Sequence, residues 1–325
     1  MRSLRLIVQR LVAALPTLLL VSLGAFVLIE SAPGDAADAY LAQTGGDAGF
    51  AADLRHRFGL EGSAPDRLAR FYGGLLQGDL GTSVVFNRPV LSVIVERLPT
   101  TLLLMAAAVT FAALVGSALG LLAGSKPGGW RDQAIVVATL GLLAMPNFWL
   151  ALLLILTFGV QLAWLPTSGL QSLGATRSGL AAAADIAWHL VLPTLALGAG
   201  YLALYTRTLR AGMAATWRAD HVRAARARGL AERRVIWRAV ARPALLPVVV
   251  LLGHQVGTLF GGSVVTETVF GIPGLGRLTY EAVAGRDTLL LVGVVLAGTV
   301  VVVAANLLVD LVLVRLDPRI GAAGE

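Results

Sequence analysis

The chain has no cysteine, a single lysine among its 26 basic residues, and only 14% charged residues. The lack of cysteine excludes disulfides and thiol chemistry. The charged share is far below the roughly 25% that is usual in soluble domains. Lys126 lies in "GSKPGG", which is not the G-x-x-x-x-G-K-[ST] loop that cradles nucleotide phosphates. The sequence therefore excludes ATP binding by that route.

Signatures of catalysis and of metal binding are also missing. The four histidines are scattered without metal-ligand spacing, and neither an H-E-x-x-H nor a G-x-S-x-G motif occurs. We predict no catalytic residue, no metal site and no cofactor in this chain. Ion-coupled transport normally needs ionisable residues inside apolar spans, and His254 is the only one well inside a block. His254 either bonds a neighbouring helix or lines a pore, and a stand-alone secondary transporter is disfavoured.

What the sequence does contain is long apolar runs, which make up most of its 57% hydrophobic residues. Uncharged runs of about 18 residues or more indicate membrane-spanning helices. The third run contains Pro146, which predicts a kink there. We predict an all-α integral membrane protein with six spans: Leu11–Ile29, Leu98–Gly124, Ala134–Pro166, Leu190–Thr206, Pro243–Thr266 and Thr288–Val309.

The charges are distributed unevenly across these six spans. With the N-terminus in the cytoplasm, the inside segments hold 17 Lys and Arg against 6 Asp and Glu, and the outside segments hold 9 against 13. Such a bias follows the positive-inside rule, so the net charge of +7 indicates membrane topology and no nucleic-acid partner. Both termini are then expected in the cytoplasm, and residues 30–97 outside. The first run could instead be a signal peptide, although it is longer than a typical one.

Glycines at a spacing of four occur in two of the runs. Gly116, Gly120 and Gly124 share one face of the second run, and Gly257 and Gly261 repeat the pattern in the fifth. Such faces let another helix approach closely. We interpret them as helix packing; a sliding surface during gating is the alternative.

A strongly basic segment, "DHVRAARARGLAERRVIWRAVARPALLP" at 220–247, leads into the fifth run. We predict a helix over Asp220–Arg228 that Gly229 ends, because glycine suits the left-handed position after a helix, and a second helix over Ala231–Ala241. Ala225 and Gly229 share a face beside Ala224, so a partner could approach closely there. Docking to a cytosolic partner is favoured over lipid-surface binding and over internal packing.

This segment resembles the EAA region of ABC importer permeases, within the dipeptide, oligopeptide and nickel permease family and its first membrane subunit. Further matches follow in chain order over nearly the whole sequence: "LRLIVQRLVAALPTLLLVSLGAFVLIESAPGD", "GDLGTS", "ERLPTTLLL", "MPNFWLALLLILTFGVQLAWLPTSG", "HLVLPTLALG", "VVTETVFGIPGLGRL" and "NLLVDLVLVRLDPRI". Three positions depart from the family pattern: Arg223 replaces an acidic residue, Pro243 a polar one and Ala36 a proline. Pro243 is expected to sharpen the break before the fifth span.

The resemblance implies a type I ABC importer transmembrane domain with a cytoplasmic coupling helix, in a bacterial inner membrane. Its parts would be a tail and first span (1–29), an extracytoplasmic cap (30–97) and a core (98–325). Its partners would be a second permease, two cytosolic ATPases that bind ATP and Mg²⁺, an extracytoplasmic solute-binding protein and lipid. The solute would be a peptide; nickel, another small solute or a non-transporting scaffold role are the alternatives.

Two sets of residues follow as candidate sites. The ATPase-coupling set is Arg223, Ala224, Ala225, Arg226, Gly229 and Leu230. The substrate-path set is Met145, Asn147, His254 and Glu267.

Overall fold

The computed structural model describes residues 2–31, 34–35, 37–38, 41, 48–57, 61–172, 174 and 178–316. Within that part of the chain almost all regular structure is helical, and the one sheet is a two-stranded hairpin. The helices and strands are α1 (Arg2–Glu30), α2 (Ala48–Arg57), α3 (Ala64–Leu76), β1 (Thr82–Ser83), β2 (Arg88–Pro89), α4 (Val90–Ser125), α5 (Trp130–Ala144), α6 (Asn147–Leu154), α7 (Gly179–His189), α8 (Val191–Thr216), α9 (Asp220–Ala227), α10 (Glu232–Arg234), α11 (Arg242–Ala244), α12 (Leu246–Val269), α13 (Leu275–Ala284) and α14 (Thr288–Leu316). Two π-helical segments, π1 (Ile155–Gln161) and π2 (Val235–Ala241), continue α6 and α10.

Several of these helices are long and apolar enough to cross a membrane. Among the described residues they are Val90–Ser125, Glu232–Leu252 and Thr288–Val309. Two bent pairs raise the number to five if each is one span: Trp130–Ala144 with Asn147–Gln161, and Gly179–His189 with Val191–Thr216. The first predicted span lies in α1, whose described apolar part, Val12–Leu28, is shorter than these.

Proline breaks one predicted span and does not break another. Around Pro146 the chain turns by 103° between α5 and α6, as predicted, because Met145 takes an extended conformation. At Pro243 the expected break is absent, and the second helix does not end at Ala241. A helical run continues from Glu232 to Leu252 through π2. Pro243 lies inside this run and has no N–H to donate to the Ala239 carbonyl oxygen four residues earlier. That oxygen accepts a hydrogen bond from the His221 ring at 2.9 Å instead.

Part of the stretch between the third and fourth predicted spans is also helical. Helix α7 occupies Gly179–His189, and α8 follows it at a bend of 50°. The Asp185 carboxylate accepts hydrogen bonds from the backbone N–H and the hydroxyl of Ser172, both at 2.8 Å. A run of alanines favours helix, and this bonding ties the preceding loop to it.

The described chain divides into two compact units, Met1–Leu102 with Pro273–Leu307 and Leu103–Ile272 with Leu308–Glu325. In the first unit the buried carboxylate of Asp287 organises the β hairpin. It accepts hydrogen bonds from the Ser83 hydroxyl (2.6 Å), the Val85 N–H (3.1 Å) and the Leu290 N–H (3.0 Å). The last of these satisfies a donor at the start of α14 that has no partner within the helix. One side chain therefore fixes both the hairpin and a helix end.

In the second unit the three glycines of α4 press against α8. A Cβ built on Gly116 would lie 2.7 Å from the Leu202 carbonyl oxygen, and one on Gly120 would lie 2.8 Å from that of Thr206. The Thr206 hydroxyl donates across the contact to the Gly116 carbonyl oxygen at 3.0 Å. These distances confirm the helix-packing interpretation for α4. They do not extend it to Gly261 in α12, which has no atom within 4 Å of a built Cβ.

The contact predicts that a methyl group at Gly120 destabilises this unit. Gly120→Ala would force α4 and α8 apart, and overpacking of this kind costs about 1–3 kcal/mol. We expect a lower thermal unfolding midpoint of the purified protein in detergent, followed by tryptophan fluorescence. Gly141→Ala is the matched control, because Gly141 lies in helix α5 with no atom within 4 Å of a built Cβ. Equal midpoints for the two variants would contradict this account of the glycine contact.

Candidate ATPase-docking site

Helix α9 ends in a motif that fixes the chain direction after it. Gly229 has φ +74°, the left-handed conformation that glycine adopts without a Cβ penalty. The Leu230 N–H donates to the Ala225 carbonyl oxygen (3.4 Å), and the Gly229 N–H donates to that of Arg226 (2.9 Å). This is the Schellman pairing of a helix C-terminus. The predicted stop at Gly229 is confirmed, and a Cβ there would meet no atom within 4 Å.

One face of α9 packs against the chain itself. Val222 is fully buried and Ala225 is 3% exposed, and both belong to a core cluster with Met213, Val235 and Val240. The prediction that Ala225 lies on the free face together with Gly229 is therefore wrong. Ala225 follows Val222 by three residues, so the two share a side of the helix, and burial of the bulkier valine directs both inward.

The other predicted coupling residues lie outside this core. Ala224 and Gly229 are exposed, and Leu230 is 36% exposed. Arg223 forms an exposed ion pair with Asp220 at 2.5 Å, a type of pair that contributes little to stability. The outward surface of α9 therefore combines a small side chain, an uncrowded glycine and arginine charge.

Arg226 contacts two other side chains and is not a free surface charge. Its guanidinium lies 4.7 Å from the centre of the Trp217 ring, a cation–π distance. It also donates to Glu232 at 2.6 Å, and this hydrogen bond raises the pKa of Arg226. The Arg226 side chain thus links α9 to α10.

Trp217 connects α9 to the end of α4. Its indole N–H donates to the Gly124 carbonyl oxygen at 2.8 Å. Gly124 stands in the last turn of α4, where carbonyl groups have no partner within the helix. The sequence analysis missed Trp217, although it is the aromatic residue between the apolar run and the basic segment.

Three further contacts stabilise this region. The His221 Nε2–H donates to the Ala239 carbonyl oxygen at 2.9 Å and so joins α9 to π2. Arg210 of α8 forms a two-point ion pair with the buried carboxylate of Asp132. Asp132 also accepts the Gly128 N–H at 2.8 Å. The loop after α4 is thereby fixed to α8, a pairing that the sequence analysis did not predict.

The predicted substrate-path residues do not form one group. Met145 and Asn147 line a cavity of about 340 Å³ together with Tyr201 and Gly262. The Asn147 amide donates to the Thr266 hydroxyl at 3.3 Å. Glu267 is fully buried and does not line this cavity. His254 lies in α12, but its side chain falls outside the described residues. Among the described residues no group of three His, Cys, Asp or Glu could hold a metal ion.

Comparison with known proteins identifies the family of this chain. Residues 116–322 match the family described as "Binding-protein-dependent transport system inner membrane component", and residues 3–105 match the N-terminal region of such membrane components. The chain belongs to this family of ABC transport permeases. The permease is therefore a multi-pass, all-α membrane protein and not an ATPase.

Individual relatives are similar over nearly their whole length. The permease is 36% identical to a glutathione transport system permease protein of Pectobacterium atrosepticum, over 96% of this chain and 97% of that protein. It is 34% identical to an oligopeptide transport system permease protein of Bacillus subtilis and to a di/tripeptide transport system permease protein of Pseudomonas aeruginosa. Each alignment covers 97% of this chain and 98% of the relative.

The Trp217 contact leads to a prediction about local stability. Trp217→Phe keeps an aromatic ring beside Arg226 but leaves the Gly124 carbonyl unpaired, which costs about 1 kcal/mol. We expect trypsin to cleave after the arginines of residues 218–234 several times faster in the detergent-solubilised permease. Trp130→Phe is the control, because Trp130 is 75% exposed. An unchanged cleavage rate in Trp217→Phe would show that the hydrogen bond does not hold α9 to α4.

Proposed function

We propose that the permease forms half of the translocation path of an ATP-driven peptide importer and receives its energy from separate ATPases that dock on α9. The proposal rests on how α9 is attached to the rest of the chain. Its inner face, Val222 and Ala225, is anchored in the core, while Ala224, Gly229 and Leu230 are exposed. A short, firmly attached helix with a small-residue outer surface suits a groove on a second protein.

In this proposal the docking surface consists of Arg223, Ala224, Gly229 and Leu230. Ala225 and Arg226 support it from behind, Ala225 through the core and Arg226 through Trp217 and Glu232. When ATP brings the two ATPases together, they pull α9 with them. The hydrogen bond from Trp217 to Gly124 passes that displacement to α4, which is packed on α8 through its glycines. The pathway then opens outward, and hydrolysis resets it.

The proposed partners supply the functions that this chain does not have. A second, homologous permease completes the path, two cytosolic ATPases bind ATP and Mg²⁺, and an extracytoplasmic binding protein delivers the solute. The excess of arginine in segment 207–242 supports a cytoplasmic position for α9 in a bacterial inner membrane, with both termini inside. The division into residues 1–29, 30–97 and 98–325 belongs to the same proposal.

The proposed solute class is small peptides. Support comes from the relatives, which are named for transport of glutathione, oligopeptides and di- or tripeptides. Met145, Asn147 and Tyr201 supply a thioether, an amide and a phenol to one largely apolar cavity. Amide and hydroxyl groups can hydrogen-bond a peptide backbone. A nickel path would be expected to carry imidazole or thiolate ligands.

The substrate class is tested in a reconstituted complex of both permeases, the ATPases and the binding protein. Binding protein loaded with a di- or tripeptide should stimulate ATP hydrolysis several-fold over unloaded binding protein. Nickel, free or chelated, should not stimulate it. Stimulation of ATP hydrolysis by nickel alone would assign the complex to metal uptake. Assembly of the chain into a complex without any ATPase would indicate a scaffold role.

The docking surface is tested at Gly229. Gly229→Asp adds a carboxylate to the outward surface and should abolish co-purification of the ATPases and transport, while membrane insertion stays normal. Gly229→Ala should be much milder, although alanine in a left-handed conformation costs about 1 kcal/mol. Aspartate tolerates that conformation better than alanine does, so a purely conformational role predicts that alanine is at least as harmful as aspartate.

Gly78→Asp is the matched control for backbone strain. Gly78 has φ +78° and, like Gly229, no atom within 4 Å of a built Cβ, but it lies in the region proposed to be extracytoplasmic. It should retain the ATPases. Normal ATPase retention and transport in Gly229→Asp would show that α9 is not the docking element.

A further inference from the structure

After α9, the helical run of π2, α11 and α12 has an exposed stripe of side chains. The stripe is cationic at its start and apolar further along. The stripe begins with Arg238 and Arg242, both exposed, and continues four and eight residues later with Leu246 (53% exposed) and Val250 (39% exposed). Trp237, 53% exposed, stands beside the first arginine. Cationic side chains thus give way to apolar ones within one helical turn, about 6 Å.

The π-helix sets this register. Val235 and Val240 are both fully buried although they are five residues apart. In an α-helix residues five apart point about 140° apart, whereas the wider π turn brings them to one face. Ala241, Ala244 and Val248 continue the buried side at α-helical spacing. With these residues inward, Arg238 and Arg242 are turned to the outside.

These two arginines differ from those of α9 in their partners. Arg223 and Arg226 are each paired with a carboxylate, at 2.5 and 2.6 Å. Within the described part of the chain, Arg238 and Arg242 have no acidic partner and no hydrogen bond. Arg233 is likewise exposed and unpaired among the described residues, but Arg238 and Arg242 directly precede exposed apolar residues of the same helical run. An anion bound by these two guanidinium groups would therefore lie beside an apolar surface.

We propose that Arg238, Arg242 and Trp237 bind the phosphate headgroup of an anionic phospholipid, with its acyl chain along Leu246 and Val250. Guanidinium groups bind phosphate oxygens by paired, charge-assisted hydrogen bonds, and exposed tryptophan favours the headgroup level of a bilayer. Helical side chains lean toward the N-terminus, so both arginines reach from the apolar stripe toward the water phase. The site requires only the membrane-spanning nature of the chain, and none of the proposed partners.

A lipid fits the stripe better than a protein partner does. An ATPase surface would not be expected to meet Leu246 and Val250, which lie in the apolar part of the run. The small-residue surface proposed for the ATPases is on α9, whereas the stripe lies on the helical run that follows it. One phospholipid molecule satisfies the cationic and the apolar part together.

The test compares retained lipid in the full-length permease, co-expressed with its partner subunits and equilibrated in vesicles of equal phosphatidylglycerol and phosphatidylcholine. After mild detergent extraction, native mass spectrometry gives the ratio of the two lipids that remain bound. Arg238→Gln with Arg242→Gln should lower the phosphatidylglycerol preference about tenfold or more, because each surface arginine contributes strongly to binding of anionic lipid. Arg218→Gln with Arg233→Gln, which removes the same charge from exposed positions off the stripe, should leave it unchanged.

Two further measurements decide between lipid and protein. Arg238→Lys with Arg242→Lys keeps the charge but loses the paired hydrogen bonds, so the preference should be intermediate. ATPase co-purification should be normal in every variant. An unchanged lipid ratio in the double glutamine variant overturns the site. Loss of the ATPases with an unchanged ratio also overturns it and makes the stripe a protein contact. Absence of the ATPases from the unmutated permease would contradict the proposed function and leave the lipid result valid.

Discussion

The close approach of α4 and α8 is the constraint on which the second unit depends. Where Gly116 and Gly120 meet α8, a Cβ would lie within 3 Å of a backbone carbonyl oxygen, so the two backbones touch without intervening side chains. At this distance the Thr206 hydroxyl reaches the Gly116 carbonyl, and the Trp217 indole reaches the Gly124 carbonyl at the end of α4. In the apolar phase between lipid tails, such packing and hydrogen bonding replace the hydrophobic effect as the force between helices.

The position of α9 follows from that contact. Because Trp217 is held by Gly124, its ring presents a fixed face to Arg226, and Arg226 in turn reaches Glu232. Val222 and Ala225 close the same arrangement from the inside. Four of the seven arginines of this segment show three kinds of surroundings. Arg226 is structural, Arg223 is exposed on the outward surface of α9, and Arg238 and Arg242 stand unpaired where the apolar run begins.

Features set by local chemistry could be predicted from the sequence. The apolar runs predicted helices, Pro146 predicted a break, and Gly229 predicted a left-handed helix end, since each depends on a few neighbouring residues. The direction in which α9 faces depends on what lies beneath it. The small residues Ala224, Ala225 and Gly229 are compatible with either the buried or the exposed face of α9. The burial of Val222 decides which face points inward. The sequence did indicate the buried face, because Val222 is the only bulky aliphatic residue of that helix.

Other features could not be predicted, because they depend on long-range contacts. The π2 segment brings Val235 and Val240, five residues apart, to one buried face, and local propensities do not encode that requirement. The pairing of Asp132 with Arg210 joins residues far apart in the sequence. For the same reason the sequence did not reveal that Met145 and Asn147 share a cavity that Glu267 does not line.

The left-handed backbone at Gly229 also limits how this position can change over generations. A single nucleotide change in a glycine codon leads to alanine, valine, serine, cysteine, arginine, tryptophan, aspartate or glutamate, and never to asparagine. Of the two non-glycine residues that best tolerate such a conformation, only aspartate is within one step, and it brings a negative charge into a segment with seven arginines. The uncharged alternative requires two nucleotide changes. Random mutation therefore reaches the backbone-compatible neutral residue only through intermediates that are strained or oppositely charged.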